Sequence, residues 1–217
     1  MKSLRLILIV VLGTIIACKK DNGPIATNPS GVNQSIMPLK IGNKWVGTFA
    51  FYDSTGRTTL SNDSLLATLF AIERDTTIQG ERWYVTSGAS LPPTSFHPPL
   101  LLTSRTDGLW GRPSDTSSSV PYLIAKFPCA MNDSYVTGRN ISYRATLLST
   151  SSIVSVPRGT YSCYQYRVSD GSNLNDYKSA YFMCPDSGFI RVDQYARTSA
   201  GQYYVNASFF LKTLVLN

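Results

Sequence analysis

Side chains of the kinds that carry out catalysis are few in this chain, and they are scattered. His97 is the one histidine, so any Ser-His-Asp or Cys-His arrangement would have to use it. It stands between Phe96 and Pro98, and no Gly-x-Ser-x-Gly sequence occurs. The only glutamates are Glu73 and Glu81, and a glycosidase would need one of them beside another carboxyl group. The sequence therefore predicts that the protein is not an enzyme.

Metal ligands are no better grouped. Zinc requires three or four histidine and cysteine ligands at suitable spacing, which His97 and three scattered cysteines do not offer. Residues 170–176 are rich in side-chain oxygens, but the twelfth position of a calcium loop beginning at Asp170 is Tyr181 and not glutamate. We interpret residues 170–176 as a polar hairpin turn and expect neither a metal nor a cofactor.

The N-terminus carries a processing signal. Lys2 and Arg5 precede an apolar run at residues 6–16, which is shorter than the roughly 20 residues that span a bilayer. The sequence Ile-Ile-Ala-Cys follows at residues 15–18. Together these features resemble the signal peptide and lipobox of a bacterial lipoprotein. The resemblance implies removal of residues 1–17 and attachment of acyl chains such as palmitate at Cys18. An ordinary secretory signal, cleaved elsewhere, is the alternative.

Lipidation implies a place in the bacterial cell envelope. A single acyl chain holds a protein only marginally, whereas two or three make the attachment effectively permanent. Lys19 and Lys20 follow the cysteine, in place of the aspartate that marks inner-membrane retention in some bacteria. We therefore expect an outer-membrane location, and the sequence leaves open whether the domain faces the periplasm or the cell surface.

Three cysteines remain beyond the anchor, at positions 129, 163 and 184, in a compartment where disulfides persist. Residues 164–168 and 179–183 are typical of two strands joined by the turn at residues 170–176. In a regular antiparallel hairpin of this register, Cys163 lies directly opposite Cys184, at a separation that suits a disulfide. The sequence predicts this bridge. The alternatives are that both are buried free thiols or that Cys129 takes one of them.

Composition and charge exclude some partners. Lysine and arginine number 20 against 13 acidic residues, giving a net charge of +7 that is spread along the chain. Nucleic-acid binding requires a basic stripe or cluster, and none is present. Residues 18–37 are polar and rich in Pro, Gly and Asn, which predicts a lipidated cysteine followed by a flexible tether. Residues 38–217 are long enough for a single domain with a substantial core.

Alternation of apolar and polar residues dominates the remainder and indicates β-strands. It is clearest at the C-terminus, where Tyr203, Val205, Ala207, Phe209 and Leu211 share one face. Turn sequences such as Asp-Gly separate the runs, so we expect ten to twelve strands, mostly joined to their neighbours in sequence. The class predicted is all-β: a curved antiparallel meander sheet or an open half-barrel.

Three segments deserve separate predictions. Residues 64–73 are apolar on both faces and fit either a buried strand or a helix, and we favour the strand because their neighbours are strands. Residues 203–216 would form an unusually long strand, which suits a curled sheet or partly closed barrel. Residues 90–99 contain four prolines and must form a loop, because proline lacks the donor that a central strand needs.

Four further sequences carry a family resemblance. Residues 38–45, 75–84, 156–164 and 181–189 resemble segments of small exported bacterial lipoproteins that have no assigned role. The architecture is similar to the open half-barrels of lipoprotein carriers and lipid-binding lipoproteins. The resemblance implies one curved antiparallel sheet with an apolar concave face, and a non-enzymatic protein that binds a lipid or other apolar ligand on that face.

Aromatic residues support an alternative function. Tyrosines are concentrated in the C-terminal third, where they would stack on sugar rings or line a cleft if exposed on one face. The alternative prediction is a cell-surface module that binds glycan or protein through exposed aromatic side chains. The simpler interpretation is that tyrosine is a good strand former. The tyrosines concerned are Tyr161, Tyr164, Tyr166, Tyr177, Tyr181, Tyr195, Tyr203 and Tyr204.

Overall fold

Thirteen antiparallel β-strands form the described part of the domain, which confirms the all-β prediction. The computed structural model describes residues 34–61, 67–88, 101–113, 119–138 and 143–217. Within them no helix is long and apolar enough to cross a bilayer. The strands of the first half are β1 (Lys44–Tyr52), β2 (Thr58–Ser61), β3 (Ala67–Ile78), β4 (Glu81–Ser87), β5 (Leu101–Arg105), β6 (Gly108–Arg112) and β7 (Tyr122–Lys126). Those of the second half are β8 (Ser134–Thr137), β9 (Tyr143–Val156), β10 (Gly159–Asp170), β11 (Tyr177–Cys184), β12 (Gly188–Arg197) and β13 (Tyr203–Val215).

The strands make one sheet that curls almost into a closed barrel. Their order is β7-β6-β5-β4-β3-β1-β13-β12-β11-β10-β9-β8, with β2 paired to β1 outside this path. Two up-and-down meanders, β3 to β7 and β8 to β13, therefore meet on either side of β1. The predicted meander is confirmed, with one strand more than the expected ten to twelve and a sheet more closed than a half-barrel.

Two junctions join the meanders, and the first is a backbone ladder. β1 pairs with β13 from Lys44 opposite Val215 to Phe51 opposite Ala207, with one register shift beside Gly47. Each pairing contributes backbone hydrogen bonds and cross-strand side-chain contacts. This junction brings the first and last long strands of the domain together along nearly their whole length.

The second junction, between β7 and β8, is made by side chains. The two strands are the edges of the hydrogen-bonded sheet, and among the described residues no backbone ladder joins them. Tyr135 Oη donates to the carbonyl of Ile124 (3.0 Å) and Thr137 Oγ1 to that of Leu123. Lys126 Nζ contacts Asp133 Oδ2 at 2.9 Å. We call this junction the seam.

Tyr166 shows which face of the sheet is the interior. It lies on β10, yet its Oη donates to the carbonyl of Lys126 on β7 at 2.7 Å. Because β8 and β9 separate these strands in the sheet, the side chain must reach across the inside of the barrel. Burial raises the pKa of both Tyr166 and Tyr135, so both phenols stay protonated and donate.

Large side chains fill the interior of the described barrel. The rings of Phe70 and Phe189 stack with centroids 5.2 Å apart, and Phe49 meets Phe209 at 5.4 Å. Burying rings of this size supplies much of the driving force for folding. The largest interior side chains, each no more than 1% exposed, are Trp45, Phe70, Tyr166, Phe189 and Phe209.

The N-terminal segment docks at one end of the barrel. Ser35 exchanges hydrogen bonds with Asp186 in the β11–β12 turn, and Ile36 and Met37 are fully buried. We call this end proximal and the end with the β10–β11 and β12–β13 turns distal. Asn217 also lies at the proximal end, where its amide donates to Asn43 Oδ1 at 2.8 Å. The apolar side chains of Ile36 and Met37 thus pack with the core, directly before the domain start expected at Pro38.

Most local predictions agree with the structure. Residues 67–73 are strand, as favoured, and residues 64–66 lie outside the described residues. The long C-terminal strand is confirmed as the 13 residues of β13. The alternation predicted to place residues 203–211 on one face is interrupted at Asn206. A register shift there pairs Ala207 with Gln194 but Val205 with Tyr195. The proline-rich residues 90–99 fall outside the described part of the chain.

Candidate functional site

A cavity of about 710 Å³ opens at the proximal end of the barrel. This volume lies in the range of about 300–1,000 Å³ that is usual for small-molecule sites. Its polar wall is made by Gln34, Ser35, Ser104, Arg105 and Thr106. Its apolar wall is made by Ile36, Phe127, Pro128 and Tyr164. We call it the proximal cavity.

One wall of the proximal cavity is the docked N-terminal segment. The amide of Asp186 donates to the carbonyl of Ser35 at 2.8 Å, and the amide of Ser35 donates back to Asp186 Oδ1 at 3.3 Å. Ser35 Oγ donates to the carbonyl of Met37 and lies 3.4 Å from Ser104 Oγ. Gly188, at φ +79°, allows this approach because a Cβ there would lie 2.9 Å from Met37 Cγ.

The opposite wall is aromatic. The ring of Phe127 meets that of Tyr164 edge-on, with centroids 5.2 Å apart, and Tyr164 stacks at 6.4 Å on Tyr166 of the interior. Tyr164 is thus supported from behind by the packed core. Burial raises the pKa of Tyr164, so its hydroxyl remains protonated and can both donate and accept a hydrogen bond.

Arg105 is fixed in position beside the cavity by Glu81. Its Nε and Nη2 donate to the two carboxylate oxygens, each at 2.7 Å, and its guanidinium lies 4.3 Å from the ring centroid of Trp110. This bidentate geometry leaves the two N–H groups of Nη1 for another acceptor. The hydrogen bond from Arg105 lowers the pKa of Glu81, and the pKa of Arg105 is raised in turn.

The carboxyl groups of this region are not arranged as the acid of a hydrolase. A glycosidase acid needs a raised pKa, whereas that of Glu81 is lowered. Glu73 is exposed on β3, and the β3–β4 turn separates it along the chain from Glu81 on β4. Among the described residues no group of three or more potential metal ligands is present. His97 lies outside the described residues.

The predicted cysteine pair has the predicted register. Tyr164 lies opposite Met183 and Val168 opposite Ser179, which makes Cys163 and Cys184 the next pair toward the proximal end. Both are buried free thiols in the structure, so the disulfide stays a prediction. Burial raises the pKa of both, and neither is ionised at neutral pH.

Cys129 lies elsewhere, in the β7–β8 connection. Its Sγ is 3.7 Å from Asp133 Oδ2, and burial raises its pKa to about 11. Cys18, the predicted lipidation site, lies outside the described residues.

Residues 170–176 form the polar hairpin turn that the sequence predicted. Asp170 Oδ1 accepts hydrogen bonds from the amide and hydroxyl of Ser172, and Asp176 Oδ2 accepts one from Lys178 Nζ at 2.8 Å. The turn itself uses these carboxylates.

The tyrosines singled out in the sequence are divided between two faces. Tyr166 is buried in the interior, and Tyr164 faces the proximal cavity. Tyr177, Tyr195 and Tyr203 are half-buried and meet one another at the distal end.

Sequence reasoning missed the polar wall of the proximal cavity. Arg105, Ser104 and Ser35 come from different chain segments that only the sheet order brings together. The one local signal was the turn sequence Asp107-Gly108, which places Arg105 and Thr106 at a strand end.

Comparisons with known proteins give two distant structural similarities and no sequence match. No protein-family model matches the chain, and no curated protein sequence matches it. A proposed lipoprotein from Parabacteroides distasonis matches with a TM-score of 0.41 and 13% identity, over 85% of this chain and 100% of that one. A proposed exported protein with a YmcC-like fold from Bacteroides fragilis matches with a TM-score of 0.39 and 9% identity, over 84% and 100%. With TM-scores below 0.5, neither similarity carries an argument about this chain.

Proposed function

We propose that the protein is a lipid-anchored, non-enzymatic component of the bacterial envelope that binds a saccharide in the proximal cavity. The observation that carries this proposal is the pairing of an aromatic wall with a wall of hydrogen-bonding groups. Tyr164 and Phe127 offer ring surface, while Ser104, Thr106 and Arg105 offer donors and acceptors. A sugar ring complements both walls, because its apolar C–H faces pack on aromatic rings and the hydroxyl groups at its edge form hydrogen bonds.

An apolar ligand on the concave face has less physical support. In the described barrel that face is filled by the protein's own rings, including Trp45, Phe70 and Phe209. Such interiors are close-packed, and an acyl chain would have to displace side chains that already fill the space. The proximal cavity would also place an acyl chain against Ser104, Arg105 and Thr106, whose polar atoms it would leave unpaired.

The lipid anchor rests on the N-terminal sequence and fits the position of the cavity. Residue 34, where the described chain begins, contributes to the cavity wall, and it follows Cys18 by 16 residues. A chain of that length spans at most about 55 Å when fully extended. Anchoring at Cys18 would therefore keep the proximal cavity within that distance of the membrane.

Glycan binding by the detergent-solubilised lipoprotein tests the proposal. We expect binding to members of an array of neutral oligosaccharides, followed by calorimetric titration of the strongest. Tyr164→Ala should weaken that binding about tenfold or more, since removing a central aromatic contact costs on the order of 1.4 kcal/mol or above. Arg105→Lys should also weaken binding, because lysine cannot keep the bidentate pair with Glu81. We expect this loss to be smaller than that caused by Tyr164→Ala.

Tyr195→Ala, at the opposite end of the barrel, is the matched control and should leave cavity binding unchanged. Thermal unfolding of each variant would show that the barrel remains folded. An array without a bound saccharide, or undiminished binding by Tyr164→Ala, would contradict the proposal.

A further inference from the structure

A second group of aromatic and cationic side chains lies on the outer face at the distal end. Arg167 follows Tyr166 in β10 and, because neighbours in a strand point to opposite faces, it lies outside the barrel. Its guanidinium lies 4.5 Å from the ring centroid of Tyr177. We call the set Arg167, Tyr177, Tyr195, Arg197 and Tyr203 the distal cluster.

The three rings of the distal cluster form a continuous aromatic surface. Tyr177 lies 5.0 Å from Tyr203 and 6.4 Å from Tyr195, with the second pair edge-on at 66°. All three are half-buried, so each keeps part of its ring at the surface. The turns at residues 171–176 and 198–202 bring the rings together, because they join the strands on which the rings lie.

Cations surround these rings. Arg197 lies 5.5 Å from the ring centroid of Tyr203 and donates from Nε to the carbonyl of Gly201, and in the described contacts its two terminal nitrogens carry no hydrogen bond. Arg167 Nε is buried and has no hydrogen-bond partner. Lys178 is paired with Asp176 at 2.8 Å.

The local charge is positive. Arg144 faces Ser169, which faces Tyr177, so a fourth cation stands in the same cross-strand row as the cluster. The acidic groups near the cluster are Asp170, Asp176 and Asp193. Asp170 is hydrogen-bonded within the turn, Asp176 accepts from Lys178 and from Tyr203 Oη (3.0 Å), and Asp193 is paired with Arg191 at 2.7 Å. With Arg191 included, five cations thus stand against three anions that are already hydrogen-bonded.

We propose that the distal cluster binds an acidic oligosaccharide, with sugar carboxylates paired to Arg197 and Arg167 and a sugar ring lying on Tyr195. Planar guanidinium groups match carboxylates in geometry as well as charge. The size of the surface favours a short saccharide, because a stable protein interface takes roughly 20–30 residues a side and the cluster has five.

Position separates this surface from the proximal cavity. The N-terminal segment enters at the proximal end, and β12, with 10 residues, runs from there to the distal cluster. At about 3.3 Å per residue the two regions are about 30 Å apart. An acidic saccharide at the distal end therefore binds independently of the proposed cavity ligand.

Titration of the detergent-solubilised lipoprotein with trigalacturonate tests the inference, with the methyl-esterified trisaccharide as the uncharged probe. We expect saturable binding of the acid that is at least about tenfold tighter than that of the ester, a difference that weakens as salt screens the charges. Arg197→Gln should weaken binding about fivefold or more, and Tyr195→Ala by a similar factor.

Two control variants make the result specific. Lys212→Gln removes the same charge from an exposed site near the proximal end and should change binding less than twofold. Tyr164→Ala should leave it unchanged, so failure of the cavity proposal would be seen separately. Equal binding of acid and ester, equal losses in Arg197→Gln and Lys212→Gln, or an absence of binding would overturn the inference.

Discussion

The two junctions of the barrel differ in what holds them. At β1 and β13 the backbone itself is paired, and the interior side is sealed by rings such as Trp45 and Phe209. At the seam, hydroxyl groups of Tyr135, Tyr166 and Thr137 reach carbonyls of β7 across a gap. A backbone ladder is set by the fold and tolerates many side chains, whereas the seam depends on a few particular ones.

The difference suggests how the barrel opens. Regions with few backbone hydrogen bonds to neighbours are the first to unfold locally. The seam should therefore open more often than the β1–β13 junction, and Phe127 beside it lines the proximal cavity. Substitutions at each junction test this contrast.

Trp45→Ala removes a large side chain from the junction between β1 and β13. Trp45 is fully buried, and its indole N–H donates to the carbonyl of Ser187, so its loss leaves a large void and an unpaired acceptor. We expect the free energy of unfolding to fall by about 3–5 kcal/mol. Urea denaturation of the purified protein would measure it. A loss below about 1 kcal/mol would show that the ring is not part of a close-packed core.

The cysteine pair lies between the two junctions, on β10 and β11. If Cys163 and Cys184 are oxidised in the envelope, the protein isolated without reductant should be two mass units lighter than its reduced form. Reduction should then lower the free energy of unfolding by about 3 kcal/mol. Cys163→Ser should abolish the mass difference, and Cys129→Ser should preserve it. An unchanged mass in the wild-type protein would establish the free thiols seen in the structure.

Tyr166→Phe weakens the seam by removing one hydroxyl group. The ring stays buried, but the carbonyl of Lys126 loses the donor that Tyr166 supplies. We expect a loss of about 1 kcal/mol in the free energy of unfolding. Hydrogen exchange should also rise at the amides of β7 and β8 and remain unchanged in β1 and β13. A rise spread equally over both junctions would contradict this difference between the junctions.

Asp133→Asn tests the ion pair at the seam through its pH dependence. The hydrogen bond from Lys126 Nζ lowers the pKa of Asp133 below its ordinary value of 3.8. A carboxyl whose folded pKa is lowered stabilises the protein above its unfolded pKa, and that contribution is lost as pH falls through the folded pKa.

The melting temperatures of wild type and Asp133→Asn should therefore differ slightly at pH 7 and converge near pH 2. Lys126→Met should remove the same pH-dependent increment, since it removes the partner. A difference that persists unchanged at low pH would mean that the carboxylate acts through its shape or its other hydrogen bonds.

Sequence reasoning succeeded where one strand's own pattern decides the outcome. Alternation identified β13, and the centre of the turn at residues 170–176 gave the register of β10 against β11. It failed where distant segments meet. Ile36 and Met37 lie in a polar stretch, and no local pattern predicts that they pack into the end of the barrel. The position of Arg105 depends on Glu81, which is 24 residues away in sequence, and no local pattern predicts that pairing.

The position of Asn217 beside Asn43 has a consequence for engineering. Asn43 in turn donates to the carbonyl of Pro38, so the C-terminus and the docked N-terminal segment are neighbours in space. A short linker could join residue 217 to residue 34, and new ends could be opened in the exposed residues 171–175. The resulting circular permutant would keep the thirteen described strands in place while moving both termini to the distal end of the barrel.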